Sequence, residues 1–105
     1  MNSKPRVLKA FEALDQEIQE QIKLAYPEGF KDHLIKFLNK DGEYQSGLPF
    51  ETEEKYYLVK MTVAEAKEII ADDDDYDDDG NLREEVREEY EERYDDEGGG
   101  DDDDF

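Results

Sequence analysis

The sequence predicts an α+β fold: an N-terminal helix, a three-stranded, mostly antiparallel sheet, one or more C-terminal helices and an acidic tail. Three observations carry that expectation. Apolar residues near the N-terminus recur at spacings of three and four. Short segments between residues 33 and 61 cluster apolar, β-branched and aromatic residues between turn signals. A strong helix-capping signal follows the last of them.

The helix is read from Ser3 and Pro5 at its start and from Val7, Leu8, Phe11, Leu14, Ile18, Ile22 and Ala25 along one side. Asp15 can cap a second segment, so the pattern fits one helix or two with a bend. Pro27 stops it, and Tyr26-Pro27-Glu28-Gly29-Phe30 reads as a turn. His33–Leu38 is the first strand. Asp41-Gly42 marks a tight hairpin, which would face Lys40 with Glu43, Phe37 with Ser46 and Ile35 with Leu48. One face would then collect Ile35, Phe37, Tyr44, Leu48 and Phe50. Pro49 places the second strand at an edge or ends it there. Lys55–Met61 is the third strand. Thr62-Val63-Ala64-Glu65 then fits a capping box and predicts a helix through Ala71, with Ala66, Ile69 and Ile70 inward.

The charge is divided unevenly. Of the net −20, residues 1–71 carry ten Lys/Arg against thirteen Asp/Glu, a net −3, and residues 72–105 carry three Arg against twenty Asp/Glu, a net −17. We therefore expect a compact α+β module over 1–71 and an acidic, partly helical or disordered tail over 72–105. Asp72 to Asp79 is seven aspartates and one tyrosine. Leu82 to Tyr94 can form a charged helix, and Gly98–Gly100 with Asp101–Asp104 ends as low complexity.

This balance disfavours direct binding to duplex nucleic acid or to anionic membranes, both of which need cations facing phosphates. It suits a protein with a basic surface. There is no cysteine, hence no disulfide and no thiolate metal site. Neither a signal-peptide run nor a membrane-length apolar segment is evident, so a cytoplasmic location is expected.

Two constellations are candidate sites. Asp75, Asp77 and Asp79 fall at positions one, three and five of a calcium loop, with Gly80 at six and the Asn81 carbonyl at seven. The second half of the loop departs from the pattern, with Arg83 at nine and Val86 where a bidentate Glu belongs. Against specific calcium binding stands weak condensation of ions on an acidic linker. Leu82, Val86, Tyr90 and Tyr94 recur at i, i+4 and form the second candidate. Three readings of this stripe are open: docking on the exposed side of the sheet, a marginal helix that frays, or a partner-binding helix that folds on contact.

No catalytic group is assigned. His33 is the one histidine and has no cysteine or second histidine to work with, so a half-buried strand residue is the simpler reading. The paired carboxylates lack a cleft, and no glycine-rich phosphate loop is present. Tyr56 and Tyr57, with Lys36 and Lys60 near them, suggest a stacking platform for single strands only against the adverse tail charge.

The stretch from Pro5 through Tyr94 resembles a group of short bacterial proteins of unestablished function. The resemblance rests on Tyr26-Pro27 with Gly29-Phe30, Asn39-Lys40-Asp41-Gly42, Leu48-Pro49-Phe50-Glu51-Thr52, Tyr56-Tyr57-Leu58-Val59-Lys60-Met61-Thr62 and the Asp72–Asp79 run. Some of those proteins carry a DNA primase label. Here there is neither a zinc-binding Cys/His set nor a catalytic acidic core of recognisable spacing. In layout alone, a folded head with an acidic tail resembles the delta subunit of bacterial RNA polymerase.

The expected function is a non-enzymatic interaction module. Its head would bind a protein and its tail a basic surface, in the setting of a nucleic-acid-handling assembly. A calcium-binding protein using the Asp72–Asp79 loop and a nucleic-acid-processing protein related to replication or transcription are the alternatives. No cofactor is expected, calcium aside. The partner's identity, the oligomeric state and the order of residues 72–105 are left open, as is a fold-back of the tail on Lys4, Arg6 and Lys9.

Overall fold

The structure is a computed structural model and describes the backbone of residues 4–103 and the side chains of residues 4–94. The helix start at Ser3, Asp104 and the side chains of the Asp101–Asp104 run lie outside the described residues. The order is β1 (Arg6–Ala10), α1 (Gln16–Ala25), β2 (Ile35–Leu38), β3 (Tyr44–Glu51), β4 (Tyr56–Lys60), α2 (Val63–Asp72) and α3 (Glu84–Asp103). Single 3₁₀ turns at Phe11–Ala13 and Lys31–His33 lead out of β1 and into β2.

The fold is α+β, but the sheet has four strands in the order β1-β4-β3-β2 and is mixed. β1 runs parallel to β4, while β3 is antiparallel to both of its neighbours. The expected N-terminal helix is thus corrected in its first half. Residues 6–10 are a strand whose ladder opens where the Tyr56 N–H donates to the Pro5 carbonyl at 2.9 Å. Val7 and Leu8 fit the helical spacing and also the alternation of a strand over so short a run. Parallel pairing along β4 decides in favour of the strand. The helix begins only after Asp15, which holds extended angles at the N-cap position.

The hairpin between β2 and β3 is shifted by one residue from the expected register. Ile35 faces Gly47, Phe37 faces Gln45 and Leu38 faces Tyr44. The cause is Asn39. Its Oδ1 accepts the N–H groups of Asp41 and Glu43, both at 2.9 Å, and its own N–H donates to the Glu43 carbonyl. The loop is therefore Lys40–Gly42, and Gly42 takes φ +81°. A slip of one residue turns every side chain of β2 to the other face. Ile35 and Phe37 consequently leave the face that Leu48 and Phe50 share, and the expected five-residue face is broken up.

One face of the sheet is covered. Leu48 and Val59 from the sheet meet Phe11, Leu14, Ile22, Phe30, Met61 and Ala66, with Phe50 and Tyr57 packed beside them. α1 supplies Ile22, and its C-terminal Tyr26 donates its hydroxyl to the Pro49 carbonyl of β3. α2 starts on the expected capping box: the Thr62 N–H donates to Glu65 Oε1 at 2.9 Å, and the Glu65 N–H donates to Thr62 Oγ1 at 3.0 Å. Ala66 is fully buried from α2, with Ile69 and Ile70 partly buried against the same core. Among the described residues no helix is long and apolar enough to cross a membrane.

Candidate interaction surfaces

The aspartate run is a structured turn. Tyr76 and Leu82 bridge in antiparallel fashion and both are buried. Between them the Asp77 N–H donates to the Asn81 carbonyl, the Gly80 N–H donates to the Asp77 carbonyl, and Gly80 takes φ +83°. Asp77 Oδ1 accepts the N–H groups of Asp79 and Asn81, both at 2.9 Å. Bond for bond this is the turn at Asn39–Glu43, built on Asp in place of Asn.

The four residues proposed for calcium therefore have protein partners or separate directions. Asp77 caps its own turn, and the Asn81 carbonyl accepts from Asp77. Asp75 Oδ2 accepts from Lys23 Nζ at 2.9 Å and from the Tyr90 hydroxyl at 2.7 Å. Asp79 is exposed. Among the described residues no group of three or more His, Cys, Asp or Glu side chains is gathered as metal ligands.

The stripe docks with α1 rather than on the sheet: Val86, Tyr90 and Tyr94 lie on α3, which contacts α1, and Leu82 lies just ahead of α3 in the bridge to Tyr76. Leu82 and Tyr90 are buried, and Val86 and Tyr94 are half-buried. The seam between the helices is polar. On α1, Glu20 and Lys23 are 5% and 8% exposed, the two charged residues buried among those described. Lys23 Nζ pairs with Asp73 at 2.6 Å and Asp75 at 2.9 Å. Glu20 Oε1 accepts from Arg93 at 2.6 Å and from the Tyr94 hydroxyl, while Glu20 Oε2 accepts from Gln16. Burial pushes the Glu20 carboxyl up, but the hydrogen bonds from Tyr94, Gln16 and Arg93 outweigh it and hold it below its ordinary value. Asp75 follows the same logic: burial raises it, and Tyr90 and Lys23 bring it down. Burial lowers Lys23 while its two aspartates raise it further. Tyr94 is pushed up to about 12, first by burial and then by its bond to Glu20. Tyr90 and Tyr76 are raised mainly by burial as well.

α1 and the run thus fix α3, whose outward side is carboxylate. Glu84, Glu85, Glu88 and Glu92 are exposed and make no ion pair among the described residues, whereas Arg87 and Arg93 hold Glu91 and Glu89 at i, i+4. Asp74, Asp78 and Asp79 of the preceding turn are exposed as well.

Among the described residues no element covers the opposite face of the sheet. Leu8, Ile35 and Tyr56 are 48%, 46% and 42% exposed there. Leu8 and Tyr56, with Phe37, Pro49 and Leu58, line a shallow depression of about 770 Å³. Gly47 keeps its middle low, since a Cβ there would stand 3.1 Å from Leu58 Cδ1. Tyr56 and Tyr57, paired in the sequence reading as a platform, point to opposite faces: Tyr57 packs on Phe50 in the covered layer and Tyr56 looks outward under Lys4.

His33 is exposed in the turn before β2, beside the Tyr26 ring, with Glu28 at 3.9 Å from Nε2. Among the described residues it faces no cleft holding a nucleophile or a second base.

Sequence reading missed two features, the polar α1–α3 seam and the open face of β1. Glu20 and Lys23 fall on the polar side of the α1 pattern, and only the need of Tyr90 and Tyr94 for a surface points to them. Comparison with protein-family models, with curated proteins and with solved structures finds no match, so the functional reading rests on the geometry of this chain.

Proposed function

We propose that the chain is a non-enzymatic interaction module, whose acidic ledge engages a basic surface and whose folded head binds a protein. The observation that supports it is the pinned helix. Arg93 and Tyr94 fasten α3 to Glu20 of α1, and Tyr90 fastens it to Asp75 of the aspartate run, so that Glu84, Glu85, Glu88 and Glu92 stand outward in fixed register. Carboxylates held in this way recognise spaced cations at less cost in ordering than a disordered acidic chain would. A groove that otherwise takes nucleic-acid phosphates carries such cations, and there the ledge would act as a competitor.

The test is binding of a lysine- and arginine-rich peptide to the full chain and to the quadruple variant E84K/E85K/E88K/E92K. Affinity for the wild-type chain should fall steeply with added salt and collapse in the variant, with circular dichroism unchanged. Salt-insensitive binding, or equal binding by the variant, contradicts the reading.

A further inference from the structure

The open face of the sheet has a chemistry unlike the rest of the surface. Its apolar floor is Leu8 on β1, Leu58 and Tyr56 on β4, Pro49 on β3 and Phe37 on β2, with Ile35 on the same face of β2 two residues away. Contiguous apolar surface of this kind marks an interaction site. Its ionic groups are Arg6 and Lys60, at opposite ends of the β1–β4 pair, where Arg6 faces Tyr56 and Lys60 faces Ala10, and the oppositely charged neighbours Lys40 and Asp41 at the hairpin edge. Neither Arg6 nor Lys60 makes an ion pair among the described residues, while Glu51, at the end of β3 on this face, is held by Lys4 at 2.5 Å, and the charge of Asp41 is offset by that of Lys40 next to it. Arg6 and Lys60 stand about 13 Å apart along the strands, by the rise of a strand residue. The face is therefore apolar in the centre and positive at both ends, on a chain of net charge −20.

The acidic ledge does not cancel this. α3 packs on α1, and α1 packs on the other side of the sheet. The packed layer of α1 on the sheet alone sets α1 about 10 Å from the open face, on its opposite side. That exceeds one screening length of about 8 Å at physiological salt. The local charges of the face decide what approaches it.

We infer that this face docks an acidic, amphipathic protein segment, with aliphatic or aromatic side chains between flanking carboxylates. The inference rests on the reading above that the head binds a protein, and it specifies the chemistry of that partner. Charge complementarity selects the sign: carboxylates reach Arg6 and Lys60 while apolar side chains fill the floor between them. A single-stranded nucleic acid fits worse. Phe37 is in register with Gln45 and Tyr56 with Glu51, six residues apart along β3. The two rings are then about 20 Å apart, too far to stack neighbouring bases. A second copy fits worse as well, because two such faces would bring Arg6 and Lys60 against their own kind.

The probe is a short fluorescein-labelled peptide of leucines and a phenylalanine flanked by glutamates, titrated into the full chain at physiological salt. Binding should saturate and move the amide resonances of Leu8, Tyr56, Leu58 and Phe37. The double variant R6E/K60E, with an unchanged melting temperature, should bind it about tenfold or more weakly and prefer the same peptide flanked by lysines. Undiminished binding by R6E/K60E overturns the inference, as does perturbation confined to other surfaces. If oligothymidylate takes this face in preference to the peptide, or a sedimenting dimer is broken by Leu58→Glu, the occupant is a different one and the inference falls. The lysine- and arginine-rich peptide, mapped in the same spectra, reports on α3 separately, so either surface can fail without the other.

Discussion

The two faces of the sheet come from the same strands, read alternately, and they differ in what lies over them. Along β4, Tyr57 and Val59 turn inward to the helices, while Tyr56, Leu58 and Lys60 turn outward to solvent. The covered face carries the core and, through α1, the docked acidic helix. The open face carries nearly as many apolar side chains and, among the described residues, no element to bury them. The inward residues are explained by folding. The outward ones are not, and burial elsewhere in the chain does not require them.

Substitutions on the two faces should therefore diverge. Phe30 is 1% exposed at the centre of the core, and Phe30→Ala should cost about 3–5 kcal/mol, enough to unfold much of a small module. Leu58→Ser on the open face should change stability by about 1 kcal/mol or less. Urea denaturation of both variants measures the contrast, and comparable losses would erase it.

A smaller effect belongs to the seam that carries α3. Lys23→Met leaves Asp73 and Asp75 without their cation, and about 2 kcal/mol should be lost, as for hydrogen bonds to charged groups. Amide exchange should quicken through residues 84–94 and Tyr76–Leu82 before it does in β3 and β4. Uniform quickening would mean that α3 and the sheet open as one unit.

The same seam sets a pH window. Glu20 and Asp75 sit below their ordinary values of 4.5 and 3.8 in the folded chain. Their stabilisation is whole above those values and is lost as pH falls through the lower folded ones. Tyr94 is raised from 10.0 to about 12 and Lys23 is raised above 10.5. Their contribution is whole below the ordinary values and is lost as pH climbs past them. α3 docking, followed by the near-ultraviolet signal of Tyr90 and Tyr94, should be flat between these limits and decline on both sides. The open face has no part in this seam, and variants there should leave the profile unmoved.

The smallest expected effect is the most diagnostic of the aspartate run. Because Asn39 makes the same bonds in its hairpin that Asp77 makes in its own, Asp77→Asn should alter stability by less than about 0.5 kcal/mol. Calcium should perturb the spectra of wild type and variant weakly and alike. A stoichiometric response lost in Asp77→Asn would show a ligand where we describe a turn former.

What the sequence made legible was local. The capping box at Thr62 and Glu65 needs only four consecutive residues and is found as expected. The i, i+4 stripe of Leu82, Val86, Tyr90 and Tyr94 announced a helix in search of a surface. The surface itself was hidden, because Glu20 and Lys23 look like solvent-facing residues until a second helix lies over them. β1 was hidden for a related reason. Five residues cannot separate a period of two from one of 3.6, and its partner strand lies some fifty residues along the chain. The hairpin slip turned on one side-chain oxygen, that of Asn39. The same geometry recurs in the Asp77–Asn81 turn, so the pair Asn-Lys-Asp-Gly-Glu and Asp-Asp-Asp-Gly-Asn could have been recognised as one motif from their residues alone.

The measurement that bears most directly on the acidic ledge is an amide NMR titration of the full chain with the lysine- and arginine-rich peptide, at low and then at high salt. The account predicts perturbations along Glu84–Glu92 and Asp74–Asp79, with β1 and β4 unmoved, and their disappearance as salt is raised. Perturbations on the sheet that persist at high salt would contradict it.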